Sequence, residues 1–328
     1  MFYNSTILIT GGTGSWGQEL TKQLLKKNPK KIIIYSRSEL HQVNMMRKFN
    51  NSKLFFLLGD IRDSDRLLEC TKGVDYIFHL AALKHVPICE EQPYEAIKTN
   101  IVGTKNVIQV AKINKVKKVI DVSTDKAVDP LNLYGMTKAI GERLMIQANV
   151  ESSDTKFVCI RGGNVIGTNG SVIPYFIEQI KNFKKINLTD KRMTRYFLTL
   201  EYAIHLLFKA AEKSYGGETF VMKMPSCKIL SLAKVLIKEI ASNSVHIQEI
   251  GCRPGEKIDE ILVSRYESPN TYQYDENYYV ILPQLKIDGL EDKYKHLPKV
   301  NFQEYSSADK LMSEQEIKEM LKKSKFIK

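Results

Sequence analysis

Six short apolar segments recur through the first half of the chain, and each is followed by a helical pattern or by a loop that leads to one. Short continuous apolar strands that alternate with helices indicate a parallel sheet covered on both faces. The predicted fold class is therefore α/β, with a doubly wound parallel sheet. The predicted strands are Thr6–Thr10, Lys31–Tyr35, Leu54–Leu58, Tyr76–Leu80, Lys118–Val122 and Phe157–Ile160.

A glycine-rich loop follows the first predicted strand and precedes a helical pattern over 18–27. Its glycines would let the backbone turn tightly, approach a pyrophosphate and pack the helix on the sheet, while the helix N-terminus faces the negative charge. This context predicts dinucleotide binding in a Rossmann-type domain. The loop residues predicted to bind the dinucleotide are Gly11, Thr13, Gly14, Ser15, Trp16 and Gly17.

The end of the second strand discriminates between nicotinamide cofactors. An acidic residue there would bond the adenosine ribose 2′-hydroxyl, whereas this chain has Ser36 and Arg37. A guanidinium and a hydroxyl suit a 2′-phosphate, so NADP is the predicted cofactor. The alternative is that Arg37 only decorates a loop, with Glu39 as its partner.

Two further strand ends supply candidate ligands. Asp60, with Ile61 beside it, follows the third strand, and its carboxylate either bonds the adenine amino group or caps the helix that starts near Ser64. Small residues after the fourth strand permit a close approach of backbone to ligand. The candidates there are Ala81 and Ala82 for the cofactor, Lys84 for phosphate of cofactor or substrate, and His85 for positioning the substrate.

Tyr134 and Lys138 are four residues apart in a helical pattern that follows the fifth strand. This spacing places both side chains on one helix face, one turn apart. A nearby ammonium favours the phenolate and is expected to lower the tyrosine pKa, so that Tyr134 can remove a hydroxyl proton while a hydride leaves for the nicotinamide.

Composition bounds the remaining function classes. With 43% hydrophobic and 26% charged residues, the chain is typical of a soluble globular protein, and no apolar run approaches the roughly 20 residues that cross a bilayer. We therefore expect a cytoplasmic protein without membrane insertion. The excess of 12 positive charges is dispersed, which indicates a solvated surface rather than a nucleic-acid site. No metal site is expected, because the cysteines lack metal-ligand spacing; they are Cys70, Cys89, Cys159, Cys227 and Cys252.

The regular alternation of strands and helices ends near Gly162. Prolines and a glycine pair punctuate shorter elements beyond it, which predicts a smaller second domain. The expected division is an NADP-binding domain over 1–165 and a mainly substrate-binding region over 166–328, with some segments returning to the first domain. The end of the chain, 313–328, predicts an amphipathic helix.

The glycine loop, the tyrosine–lysine pair and the chain length resemble the extended short-chain dehydrogenase/reductases. The segment 123–138 resembles one branch, which contains the UDP-N-acetylglucosamine 4,6-dehydratases and particularly the soluble inverting enzymes of pseudaminic-acid-type sugar synthesis. The similarity runs from residue 5 to about 285. Further matching segments are 35–37, 81–87, 163–165, 192–195 and 253–257.

This resemblance implies a lyase that acts on UDP-N-acetylglucosamine with a retained NADP. Tyr134 would remove the proton of the sugar 4-hydroxyl, Lys126 the proton on carbon 5, and Asp125 would protonate the departing 6-hydroxyl. Inversion at carbon 5 would give UDP-2-acetamido-2,6-dideoxy-beta-L-arabino-hex-4-ulose. Thr124 would bond the 4-oxygen and Lys138 the nicotinamide ribose. A homo-oligomer, dimer or hexamer, is also implied.

The adjacent Asp125 and Lys126 have to hold atypical protonation states, a neutral acid and a neutral amine. Burial would favour both neutral forms, whereas their mutual attraction opposes them. The alternative is an ordinary surface pair in which Asp125 caps a turn.

Predictions for the second domain rest on the resemblance alone. Asn164 would orient the sugar or the nicotinamide, and Arg195 and Arg253 would bind the UDP diphosphate. Two positions depart from the family pattern, Gly162 in place of a bulky residue and Asn169 in place of arginine.

Three alternatives stay open: a configuration-retaining dehydratase, a UDP-sugar 4-epimerase, and a non-catalytic NADP-binding regulator. An epimerase would use the same loop and the same tyrosine–lysine pair but would not require Asp125 and Lys126. Formation of a 4-keto-6-deoxy sugar separates the two enzymes.

Overall fold

Nine strands form one sheet through the middle of the protein. The computed structural model describes residues 1–152, 154–166, 171–241 and 244–327, so the predicted departure at Asn169 lies outside the described residues. The strands of the described ranges are β1 (Thr6–Thr10), β2 (Lys31–Ser36), β3 (Leu54–Leu58), β4 (Tyr76–His79), β5 (Lys118–Thr124), β6 (Lys156–Gly162), β7 (Asn164–Ile166), β8 (Lys185–Leu188), β9 (Thr194–Thr199), β10 (Thr219–Met222), β11 (Ser226–Lys228), β12 (His246–Glu249), β13 (Ile261–Val263), β14 (Thr271–Gln273), β15 (Tyr278–Ile281) and β16 (Tyr305–Ser306).

Helices cover both faces of the large sheet, which confirms the predicted doubly wound α/β class. The α-helices of the described ranges are α1 (Ser15–Leu25), α2 (Glu39–Phe49), α3 (Ser64–Cys70), α4 (Val86–Glu91), α5 (Pro93–Ile97), α6 (Gly103–Ile113), α7 (Leu133–Glu151), α8 (Val172–Phe183), α9 (Leu200–Lys213), α10 (Ile229–Ile240), α11 (Leu290–Tyr294) and α12 (Glu314–Lys323). A π-helical segment, Lys98–Val102, joins α5 to α6, and a 3-10 turn, Asp125–Ala127, follows β5.

The period of two along each strand divides the core between the two faces of the sheet. Ile7 and Ile9 of β1 pack with Phe78 on the face covered by α1 and α9. Leu8 points the other way and packs with Ile77 on the face covered by α3, α6 and α7. Because the central strands are buried on both sides, their sequences are almost continuously apolar.

The strand order places a crevice at the carboxyl end of β1. The order across the sheet is β14-β15-β10-β6-β5-β4-β1-β2-β3, so the chain moves outward from β1 to β3 and then returns to β4 on the other side of β1. Strands β1 to β6 are parallel to their neighbours among these six. Ligands bind at such a switch point in open α/β sheets, outside the carboxyl ends of the strands.

Segments from the second half of the chain extend the same sheet. Strand β10 pairs in parallel with β6, and β15 pairs antiparallel with β10 and with β14. The rest of this half forms small sheets, β7 with β9 and β11, β8 with β12, and β13 with β16. A separate apolar cluster lies among α8, α10 and α12. The division at residue 165 stays a prediction.

The terminal helix and the cysteines complete the description of the fold. The terminal helix α12 begins after a capping box between Ser313 and Glu316 and ends at Lys323, short of the predicted end. All five cysteines are free thiols, and Cys159 lies buried in β6. Over the described ranges, no helix is both long and apolar enough for a membrane span, and no cluster of potential metal ligands is present.

Candidate active site

A cavity of about 640 Å³ opens at the carboxyl ends of β1, β2, β4 and β5. Among the described residues, its lining includes every residue predicted for the site except Asp125, Arg195 and Arg253. The sheet thus brings together the glycine loop, the second and fourth strand ends, the tyrosine–lysine pair and Lys126. Asn164 joins them from β7.

The glycine loop presents the uncapped start of α1 to this cavity. Gly14 is the N-cap of the helix, and no side chain accepts hydrogen bonds from its first turn. A Cβ on Gly14 would meet only the Gly11 carbonyl oxygen, at 3.4 Å, so the space in front of the loop is open. Gly11 has a φ of +67°, and a Cβ there would lie 2.9 Å from the Ala81 backbone. Free N–H groups at an open helix N-terminus fit a phosphate group.

Arg37 and Asp60 form the wall at the end of β2. The Arg37 guanidinium is half exposed and lies 3.7 Å from the Asp60 carboxylate, so its partner is Asp60 and not the expected Glu39. Asp60 accepts two hydrogen bonds from the Arg62 guanidinium, at 2.6 and 2.9 Å. Burial opposes ionisation, but these bonds and the charge of Arg37 hold the pKa of Asp60 below its ordinary value.

The alternative role of Asp60 as a helix cap is wrong. The side chain that caps α3 belongs to Asp63, which accepts a hydrogen bond from the Arg66 N–H at 3.0 Å. Asp60 bonds the Arg62 N–H instead and stays at the cavity wall. Its second proposed role, toward the adenine, stays a prediction.

Tyr134 and Lys138 lie one turn apart at the start of α7, which the Asn132 side chain caps through the Gly135 N–H. Lys138 is buried, and its ammonium contacts both carboxylate oxygens of Asp121 at 3.2 Å. Asp121 is fully buried in β5. This ion pair holds Lys138 charged and fixes its position below the tyrosine.

The expected lowering of the Tyr134 pKa is wrong as a net effect. Burial raises the pKa of Tyr134, and the ammonium groups of Lys138 and Lys126 offset this only in part. The spacing of the tyrosine–lysine pair shows only that the Lys138 ammonium lowers the pKa of Tyr134. The net shift of that pKa also depends on how far burial of the phenol raises it.

Asp125 and Lys126 are not a surface pair. Asp125 is 1% exposed and lies beneath the cavity, where one carboxylate oxygen accepts hydrogen bonds from Thr124 at 2.8 Å and from Lys126 at 3.1 Å. Thr124, and not Asp125, caps the turn, because its hydroxyl accepts from the Lys126 N–H. The second oxygen of Asp125 has no hydrogen-bond partner among the described residues.

A second carboxylate, Glu260, contacts Lys126. Its Oε1 lies 3.3 Å from the Lys126 Nζ, and its side chain is 3% exposed. Burial alone would lower the pKa of Lys126, but the carboxylates of Asp125 and Glu260 together raise it above its ordinary value. Burial thus acts in the expected direction, toward a neutral amine, but the two carboxylates outweigh it, so the net effect favours the charged form of Lys126.

A match to a family model covers residues 7–282, and the family is described as "Polysaccharide biosynthesis protein". The chain belongs to this family. It is 45% identical, over 90% of its length and 87% of the relative, to the UDP-N-acetylglucosamine 4,6-dehydratase (inverting) of Campylobacter jejuni subsp. jejuni serotype O:23/36. It is 44% identical, over 90% of its length and 86% of the relative, to a UDP-glucose 4-epimerase of Rickettsia bellii.

A solved structure is similar over the whole chain. The X-ray structure of Pen from Bacillus thuringiensis superposes with a TM-score of 0.93 at 38% sequence identity, and the match covers 100% of both chains. The overall fold is therefore shared with an experimentally determined protein.

The arginines predicted to bind diphosphate lie outside the cavity lining of this polysaccharide biosynthesis family member. Arg195 donates hydrogen bonds to the carbonyls of Thr194, Ile258 and Lys257, at 2.7 to 3.0 Å. Arg253 is exposed, and its N–H donates to Glu256. Both assignments stay predictions, although the Arg195 guanidinium already holds the segment over 257–258 in place.

Lys84 and His85 line the cavity beside the start of α4. Burial, together with the charge of Lys126, lowers the pKa of Lys84 below its ordinary value. Lys84 is exposed at the cavity wall and has no ion pair among the described contacts, which suits a phosphate ligand. His85 precedes α4 and its side chain makes no capping bond there.

Two charged residues of the site were missed from the sequence, Asp121 and Glu260. Asp121 interrupts the apolar run of the fifth predicted strand, and a buried carboxylate in a central strand needs a cationic partner. Glu260 lies three residues after Lys257, at the end of a matching segment, but no spacing in the sequence connects it to Lys126.

Proposed function

We propose that the protein is an NADP-dependent UDP-N-acetylglucosamine 4,6-dehydratase that inverts carbon 5. The observation that carries this proposal is the buried carboxylate of Asp125 in contact with Lys126, which lines the cavity together with Tyr134. Loss of water from a 4-keto sugar needs an acid beside the leaving oxygen and a base beside carbon 5. The name of the Campylobacter relative supports the same reaction.

The residues at the carboxyl ends of β1 and β2 fit a nicotinamide dinucleotide. The open loop at Gly14 and the free N–H groups of α1 would hold the pyrophosphate, and Ser36 and Arg37 the adenosine ribose 2′-phosphate. Lys138 would bond the nicotinamide ribose. When bound, this cofactor would supply a hydride acceptor for carbon 4 and a hydride donor for carbon 6, with no net oxidation.

Tyr134 begins the reaction by accepting the proton of the 4-hydroxyl on its phenolate oxygen. Burial disfavours this phenolate, and the adjacent ammonium groups of Lys138 and Lys126 favour it. Asp121 keeps Lys138 charged for this purpose. Thr124, at the end of β5, would bond the 4-oxygen through the hydroxyl that donates to Asp125.

Elimination needs one proton to move within the Asp125–Lys126 pair. The proton passes from the Lys126 Nζ to the Asp125 carboxylate, 3.1 Å away, which leaves a neutral amine and a neutral acid. The amine then takes the proton of carbon 5, the C5–H electrons form the C5=C6 bond, the C6–O bond breaks, and Asp125 protonates the leaving oxygen as water. The pair ends as it began, with Lys126 charged and Asp125 ionised. As carbon 6 receives the hydride, carbon 5 takes a proton that comes from water on the opposite face, which inverts it. Tyr134 then releases the 4-hydroxyl proton to solvent and returns to its starting state.

A 4-epimerase is the second candidate, and the 44% identity to a UDP-glucose 4-epimerase favours it. That reaction would use Tyr134 and the cofactor but would leave the 6-hydroxyl in place. The buried Asp125–Lys126 pair favours dehydration, since epimerisation has no step for a second acid and base.

The product would serve pseudaminic-acid-type sugar synthesis in the cytoplasm, and the enzyme would act as a homo-oligomer. Sedimentation of the purified protein gives the assembly, and coupled synthesis with the purified product gives the pathway.

The test follows UDP-N-acetylglucosamine by NMR in deuterated water. A 4-keto-6-deoxy product with deuterium at an inverted carbon 5 is expected. An unchanged sugar refutes the proposal, a product with its 6-hydroxyl intact establishes the epimerase, and deuterium without inversion establishes a retaining dehydratase.

A length-matched variant tests the base. Lys126→Met should bind NADP as the wild type does and lose at least about a thousandfold in dehydration, as expected when a positioned acid–base group is removed. Lys117→Ala, an exposed lysine paired with Asp75, is the control and should keep full activity. Retained dehydration in Lys126→Met would remove the base role.

A further inference from the structure

Glu260 reaches the site from the second half of the chain and is rigidly held there. Its N–H donates to the Ser307 hydroxyl at 2.9 Å, and its carbonyl accepts from the Ser307 N–H at 2.8 Å. The side chain is 3% exposed and outside the cavity lining. Its carboxylate therefore has a fixed place that does not depend on a ligand.

The contacts of this carboxylate point to Lys126. Oε1 lies 3.3 Å from the Lys126 Nζ and 3.4 Å from the Arg195 Nε. Oε2 has no hydrogen-bond partner among the described residues. Arg195 already donates to three backbone carbonyls, so its role in this group is to anchor the neighbouring segment. Lys126 is the partner whose charge the proposed reaction has to control.

We propose that Glu260 is a positioning residue that retains the proton shared by Asp125 and Lys126 and holds the Lys126 amine between two carboxylates. This inference rests on the proposed dehydratase reaction. Elimination needs one proton on the pair, on either member, because Asp125 delivers it to the leaving oxygen. The same step follows deprotonation of Tyr134, which is favoured as the pH rises. Glu260 keeps the Asp125–Lys126 pair protonated to a higher pH. It therefore widens the pH range in which the pair holds its proton while Tyr134 has already lost its own.

The charges around Lys126 support this role. Burial lowers the pKa of Lys126, whereas the carboxylates of Asp125 and Glu260 raise it. The positive charge of Arg195 lowers it. If Glu260 were neutral, Arg195 would face Lys126 without its compensating carboxylate. The other titratable groups that face Lys126 are Lys84, Tyr134 and Lys257.

The variant Glu260→Gln keeps the shape of the side chain and removes its charge. We expect the alkaline limb of the kcat–pH profile to move down by roughly one pH unit or more, as for loss of an opposite charge within hydrogen-bond distance. The dissociation constant for NADP should be unchanged, since Glu260 does not line the cavity. Asp259→Asn is the matched control, because the Asp259 carboxylate bonds Thr194 and not Lys126.

A direct titration separates this inference from the proposed function. In protein labelled with 13C at the lysine Cε, the Lys126 signal is assigned by its loss in Lys126→Met and followed with pH. Its midpoint in Glu260→Gln should fall by roughly one unit or more below that of the wild type. This measurement needs no turnover, so it holds even if the NMR assay finds no dehydration.

Three results would overturn the role of Glu260. They are an unmoved alkaline limb in a Glu260→Gln enzyme that still dehydrates, an equal shift in Asp259→Asn, and a wild-type Lys126 that titrates at or below the ordinary lysine value. If Glu260→Gln does not fold, the titration of Lys126 in the wild type alone tests the role of Glu260. Failure of the wild type to dehydrate would refute the proposed function and leave the titration as the test of Glu260.

Discussion

Replacing Asp121 by asparagine removes one charge from the buried pair beneath Tyr134 and changes almost nothing in shape. Asp121 is 0% exposed and the Lys138 side chain 6%, and both carboxylate oxygens lie 3.2 Å from the ammonium. Breaking a buried pair by removing one partner costs about 3 to 5 kcal/mol, because an uncompensated charge stays behind. With about 2.1 cal/mol/K of unfolding entropy per residue, a chain of 328 residues should lose roughly 4 to 7 °C in Tm.

The pH dependence of this loss has a definite sign. In the wild type, burial lowers the pKa of Lys138 but Asp121 raises it further, so the net direction is upward. The stabilisation is fully present below the ordinary lysine pKa and is lost only as the pH rises through the higher folded-state value. In Asp121→Asn, burial still lowers the pKa of Lys138, but no carboxylate raises it. The lysine can therefore lose its proton at a lower pH. The Tm difference should therefore narrow from pH 7 toward pH 10.

Thermal melts of the wild type, Asp121→Asn and Asp292→Asn measure this effect. Asp292 pairs with Lys295 at a shorter distance, 2.8 Å, but both side chains are about two-thirds exposed. The size of the Tm loss should depend on the burial of the ion pair and not on its distance, since exposed pairs contribute little to stability. A Tm loss in Asp121→Asn no larger than that in Asp292→Asn would refute the reasoning.

Three further predictions follow from the structure. Burial lowers the pKa of His79 to about 4, so the folded protein should lose about 2 kcal/mol as the pH falls from 7.5 to 5, and His79→Gln should flatten this slope in pH-dependent denaturation. Gly135→Ala would overlap the Lys126 carbonyl oxygen and should abolish dehydration, whereas Gly141→Ala in the same helix has space and should gain about 0.5 to 1 kcal/mol in unfolding free energy. Arg37→Leu should weaken NADP binding by about tenfold or more in calorimetry and leave NAD binding within about twofold, and equal losses for both cofactors would contradict the 2′-phosphate assignment.

The large sheet could be predicted because its signals are local. The six continuous apolar runs predict six strands, with errors of one or two residues at their ends, because these parallel strands, apart from the partly exposed edge strand β3, are largely buried on both faces. The glycine loop and the spacing of Tyr134 and Lys138 are equally local, and the fold brings both to one cavity. Strands β14 and β15 carry weaker patterns, and their place in the sheet depends on pairing far along the chain.

The electrostatics of the site could not be predicted in the same way. Spacing placed an ammonium beside Tyr134, but the net rise of its pKa comes from enclosure by many segments. The sequence likewise paired Lys126 with its neighbour Asp125, whereas Glu260 arrives from the other half of the chain. Asp63, rather than Asp60, caps α3, because the choice between two nearby acids depends on loop geometry that the residue types do not encode.

The return of β10 to the edge of β6 has a consequence for synthesis of the chain. Strand β6 ends at residue 162, and the strand that covers its open edge begins at residue 219. At 5 to 20 residues per second, a ribosome leaves that edge unpaired for roughly 3 to 11 s. During this interval the nascent chain presents an apolar strand edge of the kind that pairs with other chains. Expression of a fragment that stops near residue 215 should therefore give aggregated protein, and the full-length product should depend on chaperones that bind ribosome-attached chains.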